Sequence, residues 1–175
     1  MQFFKYNRTV AVIALVITVA LCIPLGVIRS VTSLRGRVED SFTNTQVQSD
    51  LKKYATHAEN FIAAYEAFCG SDPDLREALS AYRVVIGTPF LMTDELETLS
   101  SMAANAYYKA SLLSEEGDEA LKNSLIAYYY EMQSDEMRLA NNEDYANRAN
   151  AYNRAIDAFP ASVLCPGRPP AVLFG

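Results

Sequence analysis

From Thr9 to Ile28 the chain carries no charge (TVAVIALVITVALCIPLGVI), and after it apolar and polar residues recur at the three-and-four spacing of helices. As a helix the uncharged run is roughly 30 Å long, the thickness of bilayer hydrocarbon. It predicts a transmembrane segment, with Pro24 placed to kink it near its far end. Lys5 and Arg8 in front of it also form the basic flank of a secretory signal. The run is longer than a signal core of about 7 to 15 residues, and no small-x-small cleavage site follows it. Only Val31-Thr32-Ser33 comes close, after the charged Arg29, and Cys22 follows a Leu rather than the small residue expected before a lipid-modified cysteine. A retained, single-pass span is the expectation.

Beyond the span, Leu34, Val38 and Phe42 continue one helical face. Ser41 to Gln48 is polar and poor in helix formers, so a weak point or restart is expected there, with Thr45 and Gln48 at capping-box spacing. Leu51, Tyr54, Ala55, Ala58, Phe61, Ile62, Tyr65 and Phe68 then form a broad stripe that ends at Gly70. Asp72 and Pro73 signal the next start, and Leu75, Leu79, Tyr82 and Ile86 mark its buried face before Gly87 and Pro89. Thr93 is expected to cap a third helix with the stripe Leu96, Leu99, Ala103, Ala106, Ala110 and Leu113, and Gly117-Asp118 to turn the chain.

From Glu119 to Phe159 there is neither Gly nor Pro, and Pro160 stops the run, predicting one continuous helix roughly 60 Å long. Its coiled-coil-like seam reads Leu121, Leu125, Tyr128, Met132, Asp135, Leu139, Asn142, Ala146, Ala149, Asn153 and Ile156. Three of these positions are polar. Drift of the helical period could turn Asp135 and Asn142 to the rim, or they could form a buried polar layer partnered by Asn105 or His57; the spacing alone leaves both open.

The chain of 175 residues has seven Gly, seven Pro and no Trp. Residues 1–8 form a short flank, 9–28 the span, and 29–175 a single domain large enough to bury a core. Five of the 15 basic residues lie at or before Arg37 and all 21 acidic ones after it, which leaves 10 against 21, or −11, on residues 38–175. A nucleic-acid partner is excluded, and only Arg29, Arg35 and Arg37 are placed for lipid phosphates. Basic residues are nearly balanced across the span and do not fix its orientation.

Candidate chemistry is sparse. A dinuclear carboxylate site needs Glu-x-x-His pairs on two helices, and the chain has one histidine, His57, with no Glu three residues before it. No Gly-x-Ser-x-Gly elbow or phosphate-cradling Gly-rich loop occurs, and a Cys-His pair would need Cys69 or Cys165 beside His57. No enzyme, cofactor or metal is expected. The run Tyr128-Tyr129-Tyr130 wraps around its helix and must leave at least one ring in water.

The segment Asp144 to Leu164, DYANRANAYNRAIDAFPASVL, resembles the closing helix of the LemA family, with two Tyr-Asn steps seven residues apart and a terminal Phe-Pro before a short apolar segment. Tyr145, Tyr152, Asn153, Ile156, Phe159 and Pro160 fall on that pattern, and Ala146 stands where the family usually has Asn. Ser134-Asp135 with Arg138 is similar to the family's Thr-Glu-Asn-Arg segment, one residue out of step at the Arg. Tyr54-Ala55-Thr56-His57 is similar to its Tyr-Ala-x-His-Glu, with Ala58 for the Glu, and Leu34 to Val38 resembles the Arg-Asn-x-Val after the membrane span. The resemblance implies a distant member, a single-pass protein of the bacterial inner membrane with a helical bundle and no established molecular role.

The expected class is all-α: a transmembrane helix continuing into an antiparallel bundle of three long rods. Val31 to Cys69 and Glu119 to Phe159 are of similar length, and Pro73–Ile86 with Asp94–Glu116 would make one broken return leg. That layout brings Cys69 and Cys165 together at the far end, within reach of a disulfide; a separate hairpin instead sends the last helix back towards the lipid and parts them. The expected role is a scaffold or envelope-associated factor acting through protein contacts, with a ligand sensor as the second hypothesis. The few residues before the span leave a sensor needing a partner for output. N-terminal sequencing of the mature protein is expected to find the span retained; a start near Leu34 would show it to be a cleaved signal.

Overall fold

The structure, a computed structural model, describes residues 2–90, 94–113 and 119–174, with side chains from residue 8 onward. The described residues form seven helices and no strand: α1 (Gln2–Asn44), α2 (Val47–Cys69), α3 (Pro73–Val85), α4 (Glu95–Leu112), α5 (Glu119–Ala140), α6 (Glu143–Asp157) and α7 (Ala161–Leu164). The expected Thr93 cap and the Gly117-Asp118 turn lie outside the described residues.

The first half of α1 is long and apolar enough to cross a membrane, with a mean hydropathy of 2.9 and none of that stretch buried. Pro24 lies inside the helix. Its second half joins the core through Val31, Val38 and Phe42, which are buried on one face as their spacing requires. The chain then breaks at Thr45 and Gln46. Gln46 adopts the left-handed conformation (φ 69°) that side chains disfavour, and no side chain caps α2, so the capping box expected from Thr45 and Gln48 does not form. The Thr45 hydroxyl donates back to the Ser41 carbonyl instead. The α2 stripe from Leu51 to Tyr65 is buried as predicted. Gly70 supplies the positive φ (94°) that ends it. Asp72 caps α3 by accepting the Leu75 N–H at 3.2 Å, with Pro73 in the first turn.

Helix α3 returns along α2, as the Arg76–Glu66 and Arg83–Glu59 ion pairs and the 3.1 Å bond from the Tyr82 hydroxyl to the Leu51 carbonyl show. Helix α4 runs back up beside α3, its alanines (Ala103, Ala106, Ala110) buried against α2 and α5. Helix α5 descends: Phe61 meets Tyr129, His57 meets Asp135 and Tyr54 meets Glu136. Helices α2 to α5 thus make an up-down-up-down four-helix bundle, and α6 continues the descent along the second half of α1.

Two expectations need correction. The predicted helices Pro73–Ile86 and Asp94–Glu116 do not stack as one return leg, because α4 packs beside α3 as a separate hairpin, which sends α5 and α6 back towards the apolar span. Cys69 therefore ends α2 at the far end, while Cys165 follows α7 against α1, separated by at least the length of α2, roughly 35 Å. Both thiols are free, and the spacing rules out a bond between them.

The predicted helix from Glu119 to Phe159 is also not continuous. It breaks at Asn141 and Asn142, level with the break in the first rod. Asn142 serves both breaks. Its Oδ1 accepts the Tyr145 N–H (3.1 Å) and caps α6, and its Nδ2 donates to the Thr45 carbonyl (3.0 Å) left unpaired by the other interruption. Ser41 Oγ donates to Asp144 beside it (3.0 Å), and Arg148, then Ser41, hold the Asp144 carboxyl below the usual range.

Replacing Asn142 by Ala removes a cap, worth about 1 kcal/mol, and the partner of a half-buried carbonyl, worth about another. The expected loss is about 2 kcal/mol, seen as a melting temperature roughly 4 to 8 °C lower for the detergent-solubilised chain. A drop no larger than that of an exposed control such as Asn141→Ala would show that the junction does not depend on this side chain.

Candidate functional site

Adjacent carboxylates on α5, Asp135 and Glu136, point to opposite sides of the α2–α5 contact. Asp135 is fully buried. His57 Nδ1 lies 2.7 Å from its Oδ2, and the Arg138 guanidinium donates to its Oδ1. With the cation on one oxygen the carboxylate is the acceptor, so Nδ1 carries the imidazole proton, and Nε2 faces Glu131 at 3.6 Å. The polar seam is thus a buried layer at Asp135, and its partner is the histidine; Asn105 is exposed.

Glu136 accepts the Tyr54 hydroxyl at 3.0 Å, and Tyr54 packs edge-on against Tyr82 with ring centroids 5.4 Å apart. Burial, and then the Glu136 charge, push both phenols well above their ordinary range. They remain protonated donors, unable to act as bases near neutrality. On its other side Glu136 lines an open cleft of about 610 Å³, walled by Leu96 and Ser100 of α4, Met137 and Ala140 of α5, and Val172 to Phe174 of the C-terminal tail.

The tail forms that wall because α6 holds it there. Asn153 makes a paired contact with the Ala171 backbone, donating to its carbonyl (2.8 Å) and accepting its N–H (2.7 Å). The hydroxyls of Tyr152 and Tyr145 donate to the carbonyls of Pro169 (3.2 Å) and Val172 (2.8 Å). Burial raises the Tyr145 phenol too, which keeps it a donor. Val172 N–H donates to Pro89, and Phe90 of the same loop packs on Tyr152 with the Arg35 guanidinium over its ring at 4.5 Å.

The residues singled out by the family pattern fall into two groups. Tyr145, Tyr152, Asn153 and Ile156 hold the tail or the core, while Phe159 is 83% exposed at a cis peptide with Pro160. The stacked pair Tyr107–Tyr129, 4.3 Å between centroids, ties α4 to α5 and leaves Tyr130 in water, as the tyrosine run required. The importance of Pro89, Phe90 and Glu136 was not legible in the spacing, since their partners lie far along the chain. His57 and Cys69 sit about three turns apart on one helix, and burial raises the Cys69 thiol, so the two do not form a nucleophile–base pair. Among the described residues no group of three His, Cys, Asp or Glu side chains is disposed to hold a metal ion. Compared with protein-family models, with curated proteins and with solved structures, the chain finds no match.

Deleting residues 167–175 is expected to expose Tyr145, Tyr152 and Asn153 and to lower the melting temperature of the solubilised chain, with Asn153→Ala giving a smaller drop of the same sign. An unchanged melting curve for both would mean that the tail lies on α6 without stabilising it.

Proposed function

We propose that the chain is a single-pass protein of the bacterial inner membrane, a distant relative of the LemA type, whose bundle acts non-enzymatically as a scaffold or envelope-associated factor through protein–protein contacts. The observation that carries this reading is at the end of the bundle far from the span. There Tyr108, Leu112 and Leu113 of the α4 end are mostly exposed, as is Tyr130 of α5. Ala106 and Ala110 on the other face of α4 are buried, and among the described residues no buried side-chain polar atom lacks a partner. Large apolar side chains left in water on an otherwise well-packed bundle are the usual mark of a surface completed by another protein.

A second reading, a ligand sensor, is favoured by the cleft beside Glu136, whose apolar walls and two carboxylates, Glu136 and Glu97, suit a small, largely apolar ligand that carries hydrogen-bond donors. A comparison of the full-length chain with one double variant separates the two, because neither Tyr108 nor Leu112 lines the cleft. After cross-linking in cells, the tagged full-length chain is expected to retain co-purifying proteins that the Tyr108→Ser, Leu112→Ser double variant loses, at an unchanged melting temperature. Identical cross-linked partners for both would overturn the contact surface.

A further inference from the structure

Helix α6 descends α1 in a register fixed by the bonds Ser41–Asp144 and Thr45–Asn142. Counted down both helices at the same rise per residue, Phe159 comes level with Val27 and Ile28. Three further observations mark the same level. Helix α7 packs on α1, Arg168 of the following turn donates to Thr32 Oγ1 at 3.4 Å, and Val27, with Pro24 a turn below, is partly covered while the rest of the span is bare. At this corner Phe159 is 83% exposed and Val163 67% exposed, although Ala161 and Cys165 on the other side of α7 are buried.

The uncharged run from Thr9 to Ile28 matches the hydrocarbon thickness, so its upper boundary falls at Ile28, the level of Phe159. The charges flanking the corner are Arg29, Arg154 and Arg168 against the single carboxylate of Asp157. We propose that the α6–α7 corner is a second membrane-contacting element: Phe159 and Val163 enter the interfacial layer of a phospholipid bilayer beside the span, and Arg29 and Arg168 meet the lipid phosphates. This rests on the reading of Thr9 to Ile28 as a membrane span. An aromatic ring at that depth sits where such side chains concentrate in membrane proteins, and the arginines a turn further out lie at headgroup level. A single helix leaves a domain free to swivel and tilt; a second contact at its side fixes both.

The chain has no tryptophan, so each of three variants carries a single reporter: Phe159→Trp at the corner, Val16→Trp within the span and Leu113→Trp at the far end of the bundle. All three positions are exposed, so the fold does not depend on them. The full chain is reconstituted in phosphatidylethanolamine–phosphatidylglycerol vesicles with or without lipids brominated near the top of the acyl chain. Phe159→Trp is expected to lose about half of its emission to brominated lipid, and Leu113→Trp almost none. Quenching of Val16→Trp with Phe159→Trp no more quenched than Leu113→Trp would leave the span standing and overturn the corner. If Val16→Trp also escapes quenching, the span reading falls and the corner with it.

Discussion

Two long helices broken at the same height impose the constraint on which the rest depends. A break leaves backbone carbonyls and N–H groups without helical partners, and within a packed seam water does not replace them cheaply. Here one amide side chain meets the need of both rods: Asn142 donates to the carbonyl of Thr45 and accepts the N–H of Tyr145. The level of the junction is therefore fixed in both chains at once. Above it lies the four-helix bundle of α2 to α5; below it α1 and α6 pair and carry the tail.

The same junction explains what the sequence concealed. Up to Asn142 the buried positions follow a strict three-four alternation through Leu125, Tyr128, Met132, Asp135 and Leu139, and the seam was legible from spacing alone. At the break the phase slips by one residue. A continuous helix would bury Ala146 and Asn153; the broken one buries Tyr145, Ala149, Tyr152 and Ile156. Nothing between Glu119 and Phe159 announces the interruption, because Asn-Asn is tolerated in a helix and becomes a cap only when a partner such as Thr45 is present. The first rod was more transparent, since its polar stretch marked the weak point and its stripes were unambiguous. The order of the rods was not legible: three-rod and hairpin layouts differ in long-range pairing, while helix lengths constrain both equally.

Slipping the phase has a structural return. It turns two tyrosines inward with their hydroxyls directed at the tail, and leaves Asn153 at the edge, where an amide can pair with an extended backbone as another strand would. The tail in turn binds the α3–α4 loop through Pro89, so the hairpin is tied to the lower pair by a segment that has no helical pattern of its own. Higher up, the buried Asp135 serves registry more than stability. Burying a carboxylate is costly, and its bonds to His57 and Arg138 mainly repay that cost, but sliding α5 along α2 by one turn would leave the charge without them.

The charge distribution follows the same division into two ends. All 21 acidic residues lie beyond Arg37, whereas Arg29, Arg35, Arg37 and Arg168 gather along α1 just beyond its uncharged run, at the base of the domain, the last brought there by the tail from the opposite end of the sequence. At physiological salt a charge is felt over about 8 Å, so at a bilayer surface only this basal collar would interact with lipid phosphates, and the acidic bundle above it would be screened. For a domain held at a bilayer by one helix, repulsion would resist the bundle lying down on an anionic surface, and the arginine collar would resist its lifting away. Arg168 joins that collar because the tail sets it beside Thr32, a placement that the fold decides and the local sequence around Arg168 does not.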